Sequence, residues 1–287
     1  MTPGQRAEAL VAQLGIRDAK DLDLEAIAYD QGVTVEREEL SGCEATLIGF
    51  EDRAIATIKP SHIVGRERFS LAHELGHWDM HRGRSFQCRV DEPDMNLVGN
   101  KTVEKDADKF ASHLLMPGPI FNPAVRALGT PSFKELEALA SDFQTSMVAT
   151  SLRLAAIDTL PVIVACFSKS GRHWSIPAPH VPKRWFVVEQ LSEDSFAHDL
   201  LVKGTQTTGL RKQSGEVWFQ NDDAENYELH EHSMPYLNGQ VLVLLYLSSK
   251  MFDARFDPNV GRRYSSEGSY VAGRSTRRFF RKLDVGV

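Results

Sequence analysis

The chain has 287 residues, 42% of them hydrophobic and 25% charged, with a formal net charge of −6. That balance describes a globular chain of one large or two ordinary domains, and its acidic excess disfavours nucleic acid as a partner of the whole surface. No apolar run is long enough to cross a bilayer and the first residues lack a signal peptide's apolar core, so no membrane partner is expected and the expected compartment is the cytoplasm.

Gln5 to Leu14 and Leu24 to Gln31 carry Ala, Leu and Ile at helical spacing, with the polar segment Arg17 to Asp23 between them. Val33 to Val35 begins a short strand. Ala45 to Phe50 and Ala54 to Ile58 are strand-prone runs joined by Glu51, Asp52 and Arg53, a hairpin pattern. Three cysteines, Cys43, Cys88 and Cys166, are too few and odd in number for a disulfide framework.

The next stretch, Phe69 to Trp78, contains His73-Glu74-Leu75-Gly76-His77. On a helix advancing about 100° per residue, His73 and His77 share one side with Glu74 beside them, and Leu71, Leu75 and Trp78 share the other. Two imidazoles one turn apart bind one zinc ion, and the glutamate between them reaches a water on it. Gly83 stands where a C-terminal cap stops such a helix.

Arg82 to Asn100 reads as a long polar loop. It holds Cys88, whose thiolate can fill the fourth position of a zinc site and keep water out; the alternative is a passive loop cysteine. Cys43 is a weaker candidate for the same role. A second helix is expected from Thr102 to Met116, ending before Pro117. Glu104, Ala107, Asp108, Ala111 and Leu115 fall on one stripe of it. The small alanines permit close approach to the first helix. Glu104 is the candidate third metal ligand, and Asp108, one turn on, the candidate partner for the far nitrogen of a ligand imidazole.

His73-Glu74-Leu75-Gly76-His77, followed by Glu104-Lys105-Asp106-Ala107-Asp108-Lys109-Phe110-Ala111-Ser112-His113-Leu114-Leu115-Met116-Pro117, resembles the two motifs of the ImmA/IrrE family of bacterial metallopeptidases. The likeness covers about Leu24 to Leu154. It departs at Asp106 and Asp108, where the family usually has Glu and Asn. The resemblance implies an α+β, gluzincin-like peptidase domain over 1–157, with His73, His77 and Glu104 holding Zn2+ and Glu74 as general acid and base. It also implies that the Ala45 to Ile58 region contributes part of the substrate cleft.

Phe133 to Phe143 and Ser146 to Ala156 are two helix-like runs. The 131–157 segment resembles a helix-turn-helix core, with Gln144 where a glycine is usual; in the family it is often a helical element closing the peptidase domain. From 158 the texture turns to strands: Val162 to Phe167, a turn at Ser168 to Gly171, His173 to Ile176, Val217 to Phe219 and Val241 to Leu247, with a short helix within Ser192 to Leu201. This 158–287 part resembles the α/β, GAF-like sensor domain of some family members. Glu228, His230, Glu231 and His232 form a polar cluster, read as a solvated strand face rather than a metal site.

From Lys250 onward nine Lys and Arg stand against four Asp and Glu, so the tail is near +5 and the rest near −11. Arg277, Arg278, Phe279, Arg281 and Lys282 mix cations with an aromatic ring, a composition that suits single-stranded DNA and equally suits a last helix burying its aromatics. The function implied is a regulated zinc endopeptidase that cleaves a helix-turn-helix transcriptional repressor in response to stress, DNA damage or phage, with single-stranded DNA a candidate activator. The alternative is a non-catalytic repressor- or DNA-binding regulator with a vestigial metal site. The oligomeric state is not legible.

Overall fold

The computed structural model describes residues 1–82, 86–88, 100–205 and 207–253. They form two compact units, one of Met1–Gly129 and Leu136–Arg153, the other of Thr130–Glu135 and residues 154–253. The architecture is mixed α+β, with one sheet in each unit.

The first unit begins with α1 (Pro3–Gln13), entered through a capping box in which Thr2 and Gln5 satisfy each other's backbone amides. A 3-10 turn at Ala19–Asp21 precedes α2 (Leu24–Asp30), whose first amides are capped by the Asp23 carboxylate. Then come β1 (Val33–Arg37), β2 (Ala45–Phe50), β3 (Arg53–Ile58) and α3 (Val64–Met80). Gly32, at φ +77°, makes the turn into β1. A Cβ there would lie 2.8 Å from the Asp52 carbonyl oxygen, so the β2–β3 turn closes on that glycine.

β4 (Phe86–Cys88) corrects the reading of Arg82 to Asn100 as loop alone: its three residues pair antiparallel with β2. The sheet order is β1-β3-β2-β4, with β1 parallel to β3 and the other pairs antiparallel. Next are α4 (Asn100–Leu115), α5 (Gly118–Leu128), α6 (Phe133–Asp142) and α7 (Met147–Ala156). Between α6 and α7, Gln144 takes φ +51°, the left-handed conformation for which that turn usually employs glycine. Phe110, Leu114, Phe121, Leu136 and Phe143 are buried in this unit's core.

The second unit is built on β5 (Val162–Ser168), β6 (Gly171–Pro177), the helix α8 (Phe196–Lys203), β7 (Arg211–Ser214), β8 (Glu228–Tyr236) and β9 (Gln240–Leu247). All pairs are antiparallel, in the order β6-β5-β9-β8-β7. Two of the three interior strands, β5 and β9, are buried along almost their whole length, which explains their unbroken apolar sequences. Two expectations change here. Gly215–Val217 forms a 3-10 turn, with only Phe219 bridging to Val187. Glu231 and His232 are buried, not solvated. Trp218 Nε1–H and the Ala197 amide donate to the Glu231 carboxylate at 2.8 and 2.7 Å, and His232 Nδ1 accepts from the Phe133 amide at 3.0 Å. His230 stays exposed, so the two histidines do not share a site. Burial pushes the Glu231 carboxyl up and the His232 imidazole down, and buries Cys166 as an inert thiol pushed up to about 12.

No helix among the described residues is long and apolar enough to cross a membrane.

Candidate metal centre

Two helices make the centre. α3 carries His73, Glu74 and His77, and α4 carries Glu104 and Asp108. Residues Leu71 to Trp78 are all buried, so α3 is enclosed on its histidine side as well as its leucine side. The enclosure on the histidine side comes from α4, and one residue permits it. A Cβ on Gly76 would stand 3.1 Å from Phe110 Cβ and 3.2 Å from the Cα and carbonyl oxygen of Ala107. The glycine inside the histidine motif is therefore where the two backbones meet. Sequence reasoning credited the alanines of α4 and passed over Gly76, although a glycine in mid-helix is itself a signal of close approach.

Close packing brings the donor atoms to one point. His73 Nε2 and His77 Nε2 lie 3.0 Å apart. The Glu104 carboxylate places one oxygen 3.2 Å from His73 Nε2 and the other 3.4 Å from His77 Nε2. His73 Nδ1 lies 3.0 Å from Asp108 Oδ1. A neutral His73 donates its Nδ1–H to that carboxylate, which leaves the Nε2 lone pair facing Glu104 and His77. Lone pairs that converge in this way are reconciled by a cation. Ligand bonds of about 2.05 Å in a tetrahedral zinc site set neighbouring ligands about 3.3 Å apart, the spacing seen here. Two imidazole nitrogens and one carboxylate suit zinc by chemistry as well as by distance. Among the described residues this trio is the group that could hold a metal ion.

Exposure is uneven across the centre. His77 and Glu74 are fully buried, His73 is nearly so, and 39% of the Glu104 side chain is exposed. The centre therefore opens to solvent beside Glu104. Burial alone would raise the Glu104 carboxyl, but the facing imidazoles outweigh it and hold the group down to about 2. Glu104 is ionised across the neutral range, as a metal ligand must be.

His81, one turn past His77, is the C-cap of α3, its ring 6.2 Å from that of His77. The other candidate residues fall as follows. Cys43 is a buried free thiol. Cys88 falls in β4, opposite the buried Ala45 in register. Arg277, Arg278, Phe279, Arg281 and Lys282 lie outside the described residues.

A second polar cluster, missed in the sequence, holds the far end of α4. Glu8 of α1 accepts from His113 Nδ1–H at 2.8 Å and from the Gly118 amide at 3.1 Å. Arg153 of α7, 4% exposed, donates to His113 Nε2 at 2.8 Å, to the Met116 carbonyl at 3.0 Å and to Glu8 at 3.2 Å. These bonds satisfy groups at the C-terminal end of α4 that the helix leaves open.

Residues 28–155 match the family model described as the IrrE N-terminal-like domain, peptidase family M78. A solved structure described as a Mycobacterium tuberculosis transcriptional regulator is similar at 16% identity and a TM-score of 0.55, over 94% of this chain and 93% of that chain; the likeness is one of fold. No curated protein matches the chain.

Proposed function

We propose that this chain, a member of the ImmA/IrrE family through its residues 28–155, is a zinc-dependent endopeptidase acting on a protein substrate. The observation that carries the reading is the convergence of His73, His77 and Glu104 at 3.0 to 3.4 Å spacing. When bound there, zinc supplies Lewis acidity to a peptide carbonyl and acidifies a water. His73, His77 and Glu104 would hold it. Asp108 accepts the His73 Nδ1–H and fixes the tautomer that turns Nε2 inward. Glu74, next to His73 and fully buried, takes the proton of the attacking water as the C–O bond forms. It passes that proton to the amine nitrogen as the C–N bond breaks.

The substrate in this reading is a helix-turn-helix transcriptional repressor, cut in the cytoplasm in response to stress, DNA damage or phage. Family resemblance supports it, and the regulatory description of the solved structure of similar fold fits the same setting. The 1–157 part is the peptidase domain and the 158–287 part a GAF-like sensor, for which the antiparallel sheet carrying α8 is the supporting layout. Cys88, in the strand beside β2, is the resting fourth ligand that activation removes. The tail cations are the contact for single-stranded DNA as activator.

The test uses the helix-turn-helix repressor encoded beside the gene. Glu74→Gln is expected to keep its metal and lose cleavage, and Cys88→Ala to cleave without the DNA that the wild type needs. Normal cleavage by Glu74→Gln would refute the mechanism. Cleavage by neither wild type nor Cys88→Ala, with metal bound, would favour a non-catalytic repressor-binding regulator.

A further inference from the structure

The sheet β1-β3-β2-β4 has two unlike faces. One carries Ala45, Leu47, Ala54, Ala56 and Ile58, all buried, with α3 packed against β2 and β3. On the other face the register sets Thr34, Ile55 and Ile48 in one row. Glu36, Thr57 and Thr46 form the next row, and Arg53 and Phe50 the row beyond Ile55 and Ile48. An antiparallel sheet with one face on a core ordinarily turns polar on the other. Here Ile48, Ile55 and Phe50 are 60%, 41% and 74% exposed. Ile48 and Ile55 are direct cross-strand partners and support each other. Phe50 stands opposite Arg53 and has no such reason to be apolar.

The described surroundings of this ridge carry more acidic than basic residues. Glu36 lies on the face itself, Glu38 and Glu39 follow β1, and Glu51 and Asp52 form the β2–β3 turn; all five are exposed. Among the described residues Arg53 is a cation on the face, Lys59 just after β3 is paired with Glu44, and Arg37 is held by Glu25 and Glu67. A contiguous apolar ridge within an acidic border is the complement of a basic, amphipathic segment.

We propose that this outer face is a docking surface for a basic amphipathic segment of the protein substrate, on the opposite side of the sheet from the metal-bearing α3. The apolar side of the segment covers Ile48, Ile55 and Phe50, and its lysines or arginines meet the acidic border. The surface selects the substrate by a part remote from the bond that is cut. Only the word substrate rests on the peptidase reading; the docking itself does not.

The test is fluorescence anisotropy with a labelled peptide of about five helical turns, leucines at helical spacing and lysines elsewhere, beside a counterpart with glutamates for the lysines. Both are titrated against the full chain carrying Glu74→Gln, so that neither is cut. The lysine peptide is expected to bind and the glutamate peptide not. Adding Ile48→Thr and Phe50→Thr is expected to weaken the lysine peptide by about tenfold or more. Threonine keeps the strand preference, and unchanged circular dichroism and metal content confirm that the fold is intact. Equal binding of the two peptides, or an unmoved threonine variant, overturns the proposal. So does a wild-type dimer that the threonine variant lacks, because a second copy would then be the occupant. Binding that emerges only when Arg277, Arg278, Arg281 and Lys282 are changed to serine assigns the face to the chain's own tail and overturns it too. Docking without any metal-dependent cleavage would sink the peptidase reading alone. Repressor cleavage that is indifferent to the threonine changes would sink the docking alone.

Discussion

α4 ends in two polar clusters that differ in one respect. Towards its N-terminus, Glu104 meets His73 and His77 as a set of converging acceptors. Towards its C-terminus, His113 meets Glu8 and Arg153 as a set in which the shortest contacts pair donor with acceptor. The second cluster is complete in itself and ties α1, α4 and α7 together. The first is a group that could hold a metal ion. The helix is thus fastened at one end so that its other end can hold ligands at fixed spacing.

The contrast can be broken most severely at the complete end. Arg153→Met should leave the Met116 carbonyl and His113 Nε2 without their donor and Glu8 with one donor fewer. The expected loss is about 3 to 5 kcal/mol of stability, read from denaturant midpoints in the metal-free protein. A loss under about 1 kcal/mol would mean that the cluster is incidental to the fold. At the open end, Asp108→Ala should spare stability and weaken metal binding by roughly 10- to 100-fold, measured by competition with a chelator. Between the two ends, Gly76→Ala drives a methyl into Phe110 and Ala107. It should cost about 1 to 3 kcal/mol and lower metal affinity as well, because the helices that carry the ligands are forced apart.

The smallest effect is on pH. Burial and the nearby Arg153 depress His113. Glu8 is depressed too, because its bonds to His113 and Gly118 outweigh the opposing effect of burial. Each group therefore stabilises the fold above its unfolded pKa, about 6.5 for His113 and about 4.5 for Glu8, and loses that contribution as pH falls through the folded value. Stability should fall on acidification below about pH 6.5, and His113→Gln should flatten the upper part of that fall. A wild-type profile that is flat from neutral pH to the acid limit of folding would count against the neutral His113 held between Glu8 and Arg153.

Much of the candidate metal centre was legible because its signals are local. The spacing of His73 and His77, the alanines of α4 and the stop at Pro117 lie within single helices, and α3 and α4 appear where periodicity puts them. What was not legible depends on distant partners. Glu8 and His113 are 105 residues apart, and Glu231 is held by Trp218 and Ala197, 13 and 34 residues away. Such pairs leave no trace in a window of sequence, so Glu231 read as a solvated residue. β4 hid in a polar stretch because its strand character comes from pairing with β2. α5 was obscured by Gly118, Pro119 and Pro123, residues that ordinarily punctuate helices.

The N-terminal helix gives this architecture a further meaning. α1 lies outside the 28–155 stretch that defines the likeness to the family. Yet Arg6 donates to the Asp79 carbonyl oxygen at 2.9 Å, and Glu8 closes the cluster beneath α4. Gly4 sits so near the His113 ring that a Cβ would come within 2.6 Å of it. Kinship and cooperativity therefore draw different borders on this chain. A fragment trimmed to the recognisable stretch would retain every residue of the metal centre and forfeit the brace that keeps α4 in place. The stretch that carries the family likeness is shorter than the piece that its own hydrogen bonds tie together.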